Sequence, residues 1–232
     1  MVYKFRVEMT YDKKLNYIRH LNDLDKIWKI KIFNDGEETV RGLQIKLSFV
    51  PDFAESWIGH IDEIKAGERA DINEPNLVIN PEKLLSYNEK LEGNIIMELM
   101  PADGQSEAVY KEAFPLTVLP YDQWLSNDHP ELLATFVTPN DRRVLEILAK
   151  AGKRLGVQEG IAFSGYGSKQ EVLSQMQVIF EVIQEEQISY CYPPANWDRG
   201  QRVRMPGFTL ANKLGCCIIW LFCMRPVWKQ PV

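Results

Sequence analysis

The chain has 232 residues, 27 of them lysine or arginine against 32 acidic, for a net charge of −5 with 45% apolar residues. That length fits one large domain or two ordinary ones, and 25% charged with 11% aromatic residues is a globular composition that excludes wholesale disorder. The mild acidity argues against a protein built mainly to coat nucleic acid or an anionic membrane.

The first half reads as β. Lys4 to Met9 alternates, and so does Trp28 to Ile32. Leu43, Ile45, Leu47 and Phe49 share one strand face, with Gln44, Lys46 and Ser48 on the other. Further strands are expected near Ile58–Ile64, Leu77–Ile79, Gly93–Met100 and Ala108–Leu119, and a single helical turn near Asn80 to Leu85. Asn34-Asp35-Gly36, Ala66-Gly67-Glu68 and Pro101 to Gly104 supply turns. Short strands at this spacing predict an antiparallel immunoglobulin-like β-sandwich of about seven strands over residues 1–120. Pro115 and Pro120 bracket its last strand, and the boundary is placed near 120.

The second half, 121–232, switches to a helical period. Asp128 to Glu131 opens a short helix with proline where a missing N–H costs least. Thr138 to Asp141 opens another, with Val144, Leu145, Leu148 and Leu155 as its apolar positions and Gly156 as its stop. Ser168-Lys169-Gln170-Glu171 has capping-box spacing, and behind it Val172, Leu173, Met176, Ile179, Phe180 and Ile183 form one stripe. Ile188 to Tyr192 alternates. A loop carrying Arg199, Arg202 and Arg204 follows, then a helix from Thr209 or Leu210 running through Leu214 to Ile218. The class is α+β multidomain, a sandwich followed by a mainly helical domain.

Several chemistries are weighed along this frame. The amino terminus, MVYKFRVEMTYDKK, lacks a secretory h-region. The longest apolar run, nine residues from Cys216 to Met224, falls short of the roughly 20 that span a membrane. Cys191, Cys216, Cys217 and Cys223 all lie in the last 42 residues, in no disulfide framework and no zinc spacing. A reducing cytoplasm, no membrane, no metal and no cofactor are therefore expected. His20, His60 and His129 lie far from any cysteine in sequence and read as surface residues. Gly165 to Ser168 lacks the lysine-serine ending of a phosphate loop and reads as an N-cap. Arg199, Arg202 and Arg204 could grip a phosphate or carboxylate, although charges in a polar loop are usually just solvated. Gly215-Cys216-Cys217 could present a thiolate whose pKa a helix terminus lowers, or simply two small buried residues.

From Ile188-Ser189-Tyr190 through a proline-rich loop to Lys213-Leu214-Gly215-Cys216-Cys217, the chain resembles the opening of a transglutaminase-like (papain-like cysteine) domain. The Pro120 to Trp124 junction and Phe136 to Asn140 are similar to the N-terminal region of large bacterial helicase-associated proteins. The resemblance implies Cys217 as nucleophile, with Cys216 second, and downstream helicase-like domains as partners. The family continues past its cysteine differently from Ile218-Ile219-Trp220-Leu221-Phe222, and no histidine follows His129. A thiol without its base is a poor catalyst, so a truncated, non-catalytic interaction module is expected, with a cysteine hydrolase or acyl-transferase of the longer chain as the alternative. Self-association through Ile218, Trp220 and Phe222 is expected, and nucleic-acid binding is not.

Overall fold

The computed structural model describes residues 3–102, 107–125, 129–156, 163, 167–192 and 200–215. It divides into two compact units, residues 1–121 and 122–232, in a strand-rich α+β architecture. The N-terminal unit runs β1 (Phe5–Tyr11), β2 (Lys14–Leu15), α1 (Tyr17–His20), β3 (Ile27–Asn34), β4 (Val40–Val50), β5 (Trp57–Ile64), β6 (Arg69–Asn73), α2 (Pro81–Ser86), β7 (Leu91–Pro101) and β8 (Tyr110–Val118). One sheet has the order β1-β3-β6 and the other β2-β8-β7-β4-β5. All pairings are antiparallel except the short β2–β8 ladder.

Alternation builds the core. Leu43, Ile45, Leu47 and Phe49 of β4 are buried and meet Ile95, Met97 and Leu99 of β7 across a register pairing Leu47 with Met97. Ile30 and Ile32 of β3 enter the same apolar cluster from the other sheet. Close packing then dictates local choices. A Cβ on Gly93 would stand 2.1 Å from the Val50 carbonyl oxygen, a position only glycine fills. The buried Asn34 makes its turn: its Nδ2 donates to the carbonyls of Glu38 (2.8 Å) and Ile64 (3.0 Å), and its Oδ1 accepts from the Gly36 N–H. Asn80 caps α2, its Oδ1 accepting from the N–H groups of Glu82 and Lys83.

Two expectations about this unit change. Leu77–Ile79 is not a strand; Ile79 makes a lone bridge to Ala54. The strand in that region is β6, whose Arg-Ala-Asp-Ile-Asn composition hides it, because its inner face carries only Ala70 and Ile72. Pro115 sits inside β8, where its carbonyl accepts from the Tyr11 hydroxyl at 2.6 Å.

The C-terminal unit runs β9 (Gln123–Trp124), a 3₁₀ helix (Pro130–Phe136), α3 (Arg142–Arg154), α4 (Lys169–Glu185), β10 (Ser189–Tyr190), β11 (Gln201–Arg202), α5 (Pro206–Asn212) and β12 (Leu214–Gly215). Asp141 caps α3, accepting from the Arg143 N–H at 2.8 Å, and Ser168 caps α4, accepting from the Glu171 N–H at 3.2 Å. The core joins Val144, Ile147, Leu148 and Ala151 to Ile179, Val182, Ile183 and Leu210. Leu145, Leu173 and Phe180, expected on the apolar stripes, face solvent instead. Among the described residues no helix is long and apolar enough to cross a membrane.

The last helix also differs from expectation. It covers Pro206–Asn212 and stops at Lys213, whose φ of 56° is left-handed. Leu214 and Gly215 are therefore extended, not helical, and lie parallel to β10.

Candidate functional site

The C-terminal unit brings together segments that are distant in sequence. Tyr190 pairs with Gly215, and the Cys191 N–H donates to the Gly215 carbonyl at 2.8 Å. The half-buried Cys191 receives a hydrogen bond from Arg204 Nη1 at 2.7 Å, while the Arg204 guanidinium lies 5.9 Å from the Phe208 ring centre. Arg202 leaves the loop it was expected in and forms β11 against β9. Its Nε pairs with the carboxylate of Asp122, which is 2% exposed. The Val203 N–H donates to the Asp122 carbonyl, so the carboxylate and its arginine are fixed by the same ladder. Gly200 precedes this strand with φ +87°, and a Cβ there would stand 2.3 Å from Gln123 Nε2.

Of the arginine trio, Arg202 and Arg204 thus attend to different internal partners, while Arg199 lies outside the described residues. Cys216 and Cys217, with Ile218, Trp220 and Phe222, also lie outside them. Among the described residues no group of three His, Cys, Asp or Glu converges as a metal ion would require.

The N-terminal unit holds a second site, which the sequence did not reveal. Asn16 caps α1: its Oδ1 accepts from the Arg19 N–H at 3.0 Å and its Nδ2 donates to the Pro120 carbonyl at 2.9 Å. Arg19 Nε donates to the Lys14 carbonyl, and the Leu24 N–H to the Arg19 carbonyl. This bonded loop sets His20 against Asp25, with Nδ1 and Oδ2 2.5 Å apart. The Asp25 side chain is only 7% exposed. Burial pushes its carboxyl pKa up; the His20 bond pulls it down, and the negative charges of Asp23 and Asp12 push it further up.

His20 and Asp25 line a cleft of about 330 Å³, with Asp23 and Lys26 on one wall and Glu74 and Leu77 on another. A smaller void of about 20 Å³ shares the walls Asp25, Lys26, Ile27 and Leu77 and is floored by Phe49, Phe53, Ile95 and Leu116 of the core. The larger opening is lined mainly by charged and polar side chains and the smaller void mainly by apolar ones. The mouth loops are backbone-fixed: the Lys26 N–H donates to Asp12 Oδ2 at 2.9 Å, and the Glu74 N–H to the Trp28 carbonyl at 3.1 Å. Asp23 (φ 57°) and Glu74 (φ 41°) hold left-handed conformations there, uncommon outside glycine. Nothing in the sequence joins His20 to Glu74; only the density of Asp23 and Asp25 before a strand hints at the wall.

No family model matches the sequence, and neither does any curated protein. Among solved structures, the YadV chaperone is 14% identical over 49% of this chain and 51% of its own, with a TM-score of 0.27. The CsuC–CsuE chaperone–tip adhesion subunit complex of Acinetobacter baumannii is 14% identical over 56% of this chain and 65% of that one (TM-score 0.26). Spo0M, a sporulation control protein of Bacillus subtilis, is 10% identical over 64% and 55% (TM-score 0.27). The chain thus spans about half the length of the YadV chaperone.

Proposed function

We propose that this chain is a non-catalytic binding module: an immunoglobulin-like sandwich followed by the opening of a transglutaminase-like domain, the N-terminal region of a larger bacterial helicase-associated protein working in the cytoplasm. The observation that carries the binding role is the cleft of about 330 Å³ beside His20 and Asp25, lined by charged residues on hydrogen-bonded loops together with Ile27, Leu77 and Ile79. Ligand sites combine such apolar lining with a few placed polar groups. The arginine chemistry supports a structural role in the other unit, since Arg202 is held by Asp122 and Arg204 by Cys191. Self-association through Ile218, Trp220 and Phe222, and contact with downstream helicase-like domains, belong to the same reading.

A second reading is favoured by one pairing. β10 and β12 set Tyr190 and Cys191 beside Gly215, two residues before Cys217 in sequence, so the two segments that carry the family resemblance are neighbours. In that reading Cys217, with Cys216 as second choice, is the nucleophile of a cysteine hydrolase or acyl-transferase whose histidine and aspartate come from a longer chain. An acylating thiol probe separates the two. Slow, equal labelling of Cys191 and Cys217 at mildly acidic pH is expected for the binding module. Fast labelling confined to Cys217, with an ester-hydrolysis burst lost in Cys217→Ala, would replace it with the hydrolase. The binding role itself is tested by ligand-induced shifts of the His20 imidazole resonances; a fragment screen that never moves them would remove it.

A further inference from the structure

We infer that the His20–Asp25 pair is a pH-sensitive latch: the proton it holds keeps the α1–β3 loop seated against the sandwich, and losing that proton loosens the loop. The device belongs to the folded chain itself and goes beyond any ligand that the neighbouring cleft takes. Its basis is the burial of Asp25. The side chain is 7% exposed, and among the described residues His20 Nδ1, at 2.5 Å, is the one group paired with it. Asp122, also buried, is paired with Arg202, whose guanidinium does not lose its charge. Asp25 is paired instead with a histidine, the side chain type whose ordinary charge change falls between about pH 5 and 8. The backbone N–H groups of Asn22, Asp23 and Leu24 return to Arg19 and His20, so this pair and the Lys26–Asp12 bonds fasten the far end of the loop.

A carboxylate and an imidazole this close titrate as one unit, and while they share a proton the buried site carries no net charge. When the proton leaves, the imidazole still donates its Nδ1 hydrogen, yet the carboxylate keeps a full charge out of water. The neighbouring groups supply no replacement. On the same loop, Arg19 Nε donates to the Lys14 carbonyl, and the Lys26 ammonium lies 5.6 Å from the centre of the Trp28 ring. Asp23 shares the loop, Asp12 accepts the Lys26 N–H from the β1–β2 turn, and Glu74 lines the same cleft from beyond β6. The Tyr11 hydroxyl of β1 donates to the Pro115 carbonyl. In α2, which packs beside α1, Lys83 is held by Asp52, and Glu82 is exposed. Burial raises the Asp25 pKa first, and the charges of Asp23 and Asp12 add to the rise. The same neighbours therefore oppose a bare carboxylate at this point of the loop.

Amide hydrogen exchange of the full-length chain, read by NMR from about pH 5.5 to 8.5 and corrected for the intrinsic rate at each pH, tests the latch. Protection at Leu24 and Lys26 is expected to fall about tenfold across that range while the amides of β4 hold steady, a smaller loss than removal of a buried partner brings, because the neutral imidazole keeps its bond. His20→Gln offers a donor that does not titrate, and Asp25→Asn removes the buried charge while keeping its shape. Either should flatten the profile, and Asp25→Asn carries the test if His20→Gln does not fold. The other histidine of this unit, His60, lies on β5 opposite Gln44, so His60→Gln should leave the parent profile unchanged. A flat parent profile overturns the latch, as does a pH dependence that survives Asp25→Asn or a folded His20→Gln. A fall shared equally by β4 also overturns it, since the proton would then act on the whole unit and not on the loop. No ligand enters the experiment, so its outcome is independent of the binding role.

Discussion

The two units solve the same packing problem with different reach. In the N-terminal unit the core is stitched by pairs such as Leu47 with Met97 and Lys31 with Asp71, far apart in sequence. In the C-terminal unit α3 and α4 contribute seven of eight core residues, and the ion pairs Lys150–Glu186 and Arg154–Glu185 tie the end of α3 to the end of α4. The charge balance differs as well: residues 1–120 hold 15 basic and 21 acidic residues, whereas 121–232 hold 12 and 11. A unit with a large shared core can hold a carboxylate such as Asp25 against its own burial cost. A unit with a small core uses carboxylates such as Asp122 and Glu186 as ties.

The sharpest way to break that contrast is to truncate each core. Leu47→Ala should cost the N-terminal unit about 2–5 kcal/mol, the range for a buried leucine, and raise hydrogen exchange together across β3, β4 and β7. Ile183→Ala should cost the C-terminal unit a similar amount, with exchange rising in α3 and α4. Exchange that changes only beside Leu47 would mean that the two sheets do not share one core.

Removing a tie comes next. Arg202→Met leaves the Asp122 carboxylate buried without its cation, and about 2–3 kcal/mol of the C-terminal unit's stability should go, less than for a fully buried pair because Arg202 is partly exposed. Denaturant midpoints read by Trp124 fluorescence would check it; a midpoint within error of the parent would mean the pair is not a tie.

Glu186 should matter less. It accepts from Lys150 Nζ at 2.6 Å and from Lys213, and both bonds hold its pKa down. A lowered folded pKa means its stabilisation is present above the unfolded value and is lost as pH falls through the folded one. Glu186→Gln should therefore cost about 1 kcal/mol near neutral pH, since both lysines are well exposed, and converge with the parent in acid.

Asp25 has the opposite sign and the smallest expected effect. Its pKa is raised, so its contribution is fully present below the unfolded value and is lost as pH rises through the folded one. Asp25→Asn should flatten the Tm-against-pH profile in that interval; a profile unchanged from the parent would mean that the buried carboxylate is not what titrates there.

Much of the strand pattern was readable because burial is one-sided. β4 alternates cleanly, and its period of two needs no knowledge of its partners. β6 was hidden because Arg69, Asp71 and Asn73 occupy its outer face and Ala70 and Ile72 alone mark the inner one. The cap Ser168, and the start of α3 within Thr138 to Asp141, were legible for the opposite reason, since a cap acts within three residues. The end of α5 was not: Lys213 adopts a left-handed turn that its identity does not announce. The cleft was illegible because its walls come from three connections, and two of its acidic residues, Asp23 and Glu74, look like ordinary surface charge until the chain brings them to one opening.

One bond near the start of the chain sets where it can be cut. Asn16 spans from the cap of α1 to the Pro120 carbonyl, and the Tyr121 N–H reaches the Tyr87 carbonyl. An expressed fragment that stops with β8 at Val118 would keep every long strand of the N-terminal unit yet release the loop carrying His20 and Asp25. The shortest fragment that retains the ligand cleft runs through Tyr121, and fragment boundaries three residues apart should separate folding from binding.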